Sequence, residues 1–281
     1  MPHTPETAGP PPAPPAPQTS HAAVTARLRA AGCVFAEDEA RIILDTAATP
    51  AEAAVMTAER AAGRPLEHVV GWAEFCSLRI EVGAGVFVPR RRTELLVREA
   101  VALGRGALAA RGRVVVVDLC CGSGAVGAAL AAALGRTELH AADLDPAAVA
   151  CAARNIAAAG GRVHRGDLFA ALPDALRGTV DVLAANVPYV PTGAVALLPS
   201  EARDHEARIA LDGGPDGLDV LRRVAADAAR WLAPGGSVLV EAGERQADTA
   251  AGILAEGGLL ARTVTDDDLG ATAVVGTRPP R

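Results

Sequence analysis

Lysine is missing altogether, so every one of the 27 basic residues is Arg. With the heavy load of Ala, Gly and Pro, this reads as GC-rich coding rather than as selection for Arg chemistry. Aromatics make up 2% of the chain, so its helices must pack through small side chains. The cysteines (Cys33, Cys76, Cys120, Cys121, Cys151) are odd in number and contain no C-x-x-C pair. That excludes a disulfide framework and a zinc site, and makes a reducing cytoplasm the expected compartment. The six histidines show no H-x-x-x-H spacing, and no metal is expected. No apolar run approaches the ~20 residues of a membrane span, and no signal-peptide core is expected at the N-terminus. A net charge of -6 argues against a nucleic-acid binder acting through bulk electrostatics. The 281 residues suffice for one large domain or two smaller ones.

The chain then falls into four stretches. Residues 1–20 are Pro-rich and read as an extended, disordered tail. Residues 21–66 read as a small helical substrate-docking domain. Val24, Leu28, Ile42, Ile43, Val55 and Met56 recur at helical spacing, and Thr49-Pro50-Ala51-Glu52 forms a cap. Residues 67–92 read as a β-hairpin linker, with strands at Val69–Trp72, Leu78–Val82 and Val86–Pro89, ending in Arg90-Arg91-Arg92. A helix follows from Thr93-Glu94 to about Leu103. From Arg113 onward strand and helix alternate to the end of the chain. This makes residues 93–281 an α/β domain, a doubly wound, mostly parallel sheet with helices on both faces. In such sheets the ligand sits beyond the carboxyl ends of the strands.

Two strand ends carry the chemistry. Val114–Val117 leads into Asp118-Leu119-Cys120-Cys121-Gly122-Ser123-Gly124, where Gly122, Gly124 and Gly127 satisfy G-x-G-x-x-G. An acid ending the strand would face a pyrophosphate poorly. It suits S-adenosylmethionine, which carries an ammonium and a sulfonium, while the glycines let the backbone approach closely. Asp143 ends the second strand, where it can accept both ribose hydroxyls. Asp145 reads as the N-cap of the helix beginning at Pro146. Asp167 and Leu168 follow the third strand, in position for an adenine amine and ring face. The buried run Val180–Ala185 then ends in Asn186-Val187-Pro188-Tyr189. The Asn186 and Val187 carbonyls can each accept one N–H of a planar NH2 group, and Tyr189 can stack on it. The competing reading of that tetrapeptide is a plain strand-terminating turn.

With these residues in view, the chain resembles the glutamine side-chain amide methyltransferases of the HemK/PrmC family. The resemblance covers residues 25–278. It includes Arg64–Gly71, Val88-Pro89-Arg90 with Thr93–Leu96, Asp118–Gly124, Asn186–Tyr189, His205-Glu206, Ala210–Gly214, Asp216-Gly217-Leu218, Pro234–Gly236 and Glu241–Gln246. It implies a class I methyltransferase fold, S-adenosylmethionine as cofactor, and the Gly-Gly-Gln segment of a class-1 peptide-release factor as substrate, handled by a monomer. It implies that Cys120, Cys121, Gly122, Ser123, Gly124, Asp143 and Leu168 line the cofactor and that Asn186, Val187, Pro188 and Tyr189 are catalytic. Two positions depart from the family pattern. Val187 stands where a Pro is usual, and Arg91-Arg92 replaces a Pro and an acid, which leaves a paralogue with another target open.

Amide nitrogen is a poor nucleophile, and two acceptors on its N–H bonds favour the pyramidal transition state. Two rivals stand beside this reading. An adenine-N6 methyltransferase uses the same tetrapeptide on a flipped base. A cofactor-binding interaction module would bind without turnover.

Overall fold

The computed structural model describes residues 19–280. The chain divides after Val70 into two compact units. The Pro-rich stretch lies almost wholly outside the described residues.

The first unit is helical: α1 (His21–Ala30), α2 (Ala36–Thr46), α3 (Pro50–Ala61) and α4 (Leu66–Val70). Ser20 and Thr49 cap α1 and α3 by accepting the Ala23 and Glu52 N–H groups at 3.3 and 3.1 Å. Val24, Leu28, Ala40 and Ile43 are fully buried, and Arg60 forks onto Glu39 at 2.7 and 3.0 Å. Val55, expected on the apolar face, is 58% exposed, because α3 turns Ala53, Thr57 and Arg60 inward instead.

The second unit opens with an antiparallel hairpin, β1 (Trp72–Phe75) and β2 (Leu78–Glu81), turning through Cys76 and Ser77 at positive φ. Val69 and Val70, read as strand, are the end of α4, where the Val69 N–H bonds back to Pro65. Val86–Pro89 is not a strand either. It is held by single bonds, Ala207 N–H to Gly85 and Val88 N–H to the Glu206 carboxylate. Next comes α5 (Glu94–Arg111), which continues past Leu103 to a left-handed Gly112. Its internal Gly104 is a packing device, since a Cβ there would lie 2.8 Å from the Leu134 side chain.

The sheet is built from β3 (Val114–Leu119), β4 (Thr137–Asp143), β5 (Arg162–Arg165), β6 (Val180–Ala185), β7 (Leu232–Glu241), β8 (Leu260–Asp266) and β9 (Ala271–Thr277). Its order is β5-β4-β3-β6-β7-β9-β8. The first five neighbours run parallel, and β9 is antiparallel to both β7 and β8. Helices α6 (Ala125–Leu134), α7 (Pro146–Ile156), α9 (Asp219–Trp231) and α10 (Ala247–Glu256) flank the sheet, with the short α8 (Ser200–His205) in the β6–α9 connection. Asp145 caps α7 as expected, accepting the Ala147 N–H at 2.9 Å. All six residues of β3 and of β6 are buried. The order reverses between β3 and β6, so their carboxyl ends open a crevice side by side.

Candidate active site

That crevice is a cavity of about 400 Å³, within the range of small-ligand sites. Asp118, expected to end the strand, is the penultimate residue of β3, which pairs on through Leu119, and it is 1% exposed. Its Oδ2 accepts the Gly127 N–H at 2.8 Å, while Oδ1 has no partner among the described residues. Burial, reinforced by Asp143 and opposed by the Gly127 bond, pushes its pKa up to about 8. Cys120 then turns through φ 54, and the Gly122 N–H bonds to Asp143 Oδ2 at 2.9 Å. Burial raises both the Cys120 and Cys121 thiols, so neither is a nucleophile.

Asp143 also takes the Asp145 N–H on Oδ1 at 2.9 Å. Two backbone donors thus fix its plane, and each oxygen keeps a lone pair for a further donor. Leu168, at φ 48, and Asp167 follow β5, and Asp167 is ion-paired with Arg223 of α9 at 2.6 Å. Arg223 is a cavity residue that sequence reading missed.

At the end of β6, Asn186 lines the cavity, and its side chain has no hydrogen bond to any described residue. The Val187 side chain is 2% exposed and belongs to the core on one face of the sheet. The next backbone stretch rests on the segment Asp212–Leu218. Val190 N–H donates to Leu211, Gly213 N–H to Val190, and Gln246 Nε2 to the Tyr189 and Asp216 carbonyls at 3.0 and 2.9 Å. The Gly-Gly-x-Asp-Gly-Leu pattern is therefore a bed for the backbone around Tyr189. Tyr189 donates its hydroxyl to Glu241 at 2.7 Å, and burial beside that carboxylate raises its pKa.

Asp118, Cys120, Cys121, Gly122, Ser123, Asp143, Asp167, Leu168, Asn186, Val187, Pro188 and Tyr189 all line this one cavity. Gly124 does not. It sits at φ 76, and a Cβ there would lie 3.0 Å from the Ala152 backbone, so it packs the start of α6 against α7. Arg92, one of the two positions that depart from the family pattern, is engaged by Glu241 at 2.8 Å. Arg90 is engaged by Glu206 at 2.5 Å, which ties the 83–90 wall to the 200–212 wall.

Residues 92–201 match the family model of the methyltransferase small domain. The release factor glutamine methyltransferase of Geobacter sulfurreducens is 37% identical over 225 residues, covering 79% of this chain and 76% of the relative. The chain belongs to the release factor glutamine methyltransferase family. A 4-amino-L-phenylalanine/4-methylamino-L-phenylalanine methyltransferase of Streptomyces pristinaespiralis is 40% identical over 184 residues, covering 65% of this chain and 62% of that one. Among solved structures, a methyltransferase from Pyrococcus furiosus superposes with a TM-score of 0.50 at 16% identity, covering 72% of this chain and 89% of that one. That likeness speaks to the fold alone.

Members of this family use S-adenosylmethionine, and the residues present fit it. The unpartnered, buried Asp118 Oδ1 is an acceptor in want of a cation or donor. Asp143 retains acceptor capacity for hydroxyls, and Leu168 offers an apolar face in the same cavity.

Proposed function

We propose that the chain methylates the side-chain amide nitrogen of a protein glutamine, in the Gly-Gly-Gln segment of a class-1 peptide-release factor. Asp118, Asp143 and Leu168 would hold the cofactor, which when bound supplies a methyl group on a sulfonium. The observation that carries the reading is the free Asn186 amide, one strand over from Asp118 at the same end of the sheet. Asn186 Oδ1 accepts one N–H of the glutamine amide. The Val187 carbonyl, which accepts no bond from the described residues, takes the other. Both acceptors gain strength as the nitrogen becomes pyramidal, so they favour the transition state over the ground state. Tyr189 packs on the amide plane and fixes its orientation, and positioning supplies much of the remaining rate. The nitrogen needs no general base before transfer.

The same grip suits an aromatic amine, the kind of group carried by the compound in the Streptomyces relative's name. The test is incubation with labelled S-adenosylmethionine and either the release factors of the chain's own source or 4-amino-L-phenylalanine. An Asn186→Ala enzyme and a Gln→Ala release factor run alongside. Label on the wild-type factor that is lost in both controls bears out glutamine methylation. Label on the small amine alone, or none with the cofactor bound, overturns it.

A further inference from the structure

Tyr189 is the chain's only tyrosine, and its hydroxyl shares one acceptor atom with a guanidinium. Tyr189 OH and Arg92 Nε both donate to Glu241 Oε1, at 2.7 and 2.8 Å, and Thr93 Oγ1 donates to Oε2 at 2.5 Å. The Glu241 side chain is 4% exposed and that of Arg92 is 45% exposed. The Arg92 guanidinium stands 5.8 Å from the centroid of the Tyr189 ring. Arg92, Thr93 and Tyr189 line the cavity, and Glu241 lies behind them at the end of β7.

We propose that Arg92 is a positioning residue for Tyr189, fixing the ring over the substrate nitrogen through the buried Glu241 carboxylate. A buried carboxylate keeps its charge only when a cation and donors surround it. With Arg92 in place, the Glu241 carboxylate oxygens accept from the guanidinium and from two hydroxyls. The phenol proton must then point at Oε1, and the ring has one orientation. Without Arg92, Glu241 keeps only two hydroxyl donors. Oε1 would then lose the guanidinium that holds it in place, and the ring would lose its anchor. The sequence could not reveal this role, because the three partners lie far apart along the chain.

This inference rests on the reading that Tyr189 packs on the substrate amide, and its test separates the two. The full chain is prepared with ring-labelled tyrosine, so that its NMR spectrum contains the Tyr189 signals alone. Arg92→Ala should shift and broaden those signals, and Arg92→Lys, which keeps the charge but not the fork, should restore them in part. In the release-factor assay Arg92→Ala should lower kcat by roughly 10–100-fold while S-adenosylmethionine affinity stays within about threefold. Tyr189 signals unchanged in position and width in Arg92→Ala overturn the proposal, and so does an unchanged kcat where the wild type turns over. If the wild type labels no release factor, the substrate reading fails, and the NMR arm still decides the role of Arg92.

Discussion

Asp118 accepts the Gly127 amide on one carboxylate oxygen and presents the other, buried and unpartnered, to the cavity. Burial raises its pKa from 3.8 to about 8. The folded state therefore binds the extra proton, so this group's contribution to stability is fully present below pH 3.8. It declines as pH rises and is gone above about 8. A cationic ligand reverses the preference by favouring the carboxylate. S-adenosylmethionine should thus bind more tightly as pH rises from 6 to 8, by up to ~10-fold per unit. Calorimetry should also register a proton released on binding. In Asp118→Asn the affinity should be weaker and flat across that range. A wild-type affinity independent of pH would remove Asp118 from cofactor binding.

Gly124 serves the scaffold and Gly122 serves the cavity, although the G-x-G pattern makes them look alike. Gly124→Ala forces a Cβ to 3.0 Å from Ala152 at φ 76, and should cost about 1–3 kcal/mol of stability. S-adenosylmethionine affinity of the folded protein should change little. Gly122→Ala meets only Phe87 at 3.8 Å but sits at φ 54 on the cavity wall. It should weaken cofactor binding more than it lowers Tm. Paired thermal melts and binding titrations check both, and a reversed order would contradict the assignment.

Much of this was legible in the sequence where burial is one-sided or complete. The runs that became β3 and β6 are apolar but for Asp118 and Asp181, and both are buried along their whole length. Strand ends made Asp118, Asp143 and Asn186 visible, because an isolated polar residue closing a buried run has few other uses. β8 escaped because it is an edge strand with mostly exposed side chains, so no apolar alternation marks it. Gly104 appeared to end α5, when it allows α6 to approach. Glu241 carried no signal of its own in the sequence, since its ties to Arg92, Thr93 and Tyr189 are nonlocal.

In the first unit, Arg60 and Glu39 form a forked pair with side chains only 9% and 11% exposed. Removing one partner strands a buried charge, so Arg60→Ala should cost about 3–5 kcal/mol. Replacing both with apolar residues, as in Arg60→Met with Glu39→Leu, should be close to neutral or stabilising. Denaturant titrations of the single and double variants measure the difference. A double variant as unstable as the single one would show that the pair's hydrogen bonds, including Arg60 to the Arg64 carbonyl, matter more than its charge.

Gly217 governs the Tyr189 backbone from a distance in sequence. At φ 82, a Cβ on Gly217 would stand 2.2 Å from the Tyr189 carbonyl oxygen and 2.5 Å from Gln246 Nε2, which itself donates to that oxygen. Neither neighbour can yield freely, since Gln246 also holds the Asp216 carbonyl and Tyr189 is tied to Glu241. Gly217→Ala must therefore displace the Tyr189 backbone, and a shift of that kind near 1 Å lowers kcat by about 100-fold. Cofactor affinity should hold, because Asp118 and Asp143 lie on β3 and β4 and Gly122 in the turn after β3. Gln246→Ala removes the hydrogen bonds without the clash, so its kcat should fall less. If Gly217→Ala kept full kcat, the Asp212–Leu218 bed would be a stability element only, and the orientation of Tyr189 would rest on Glu241 alone.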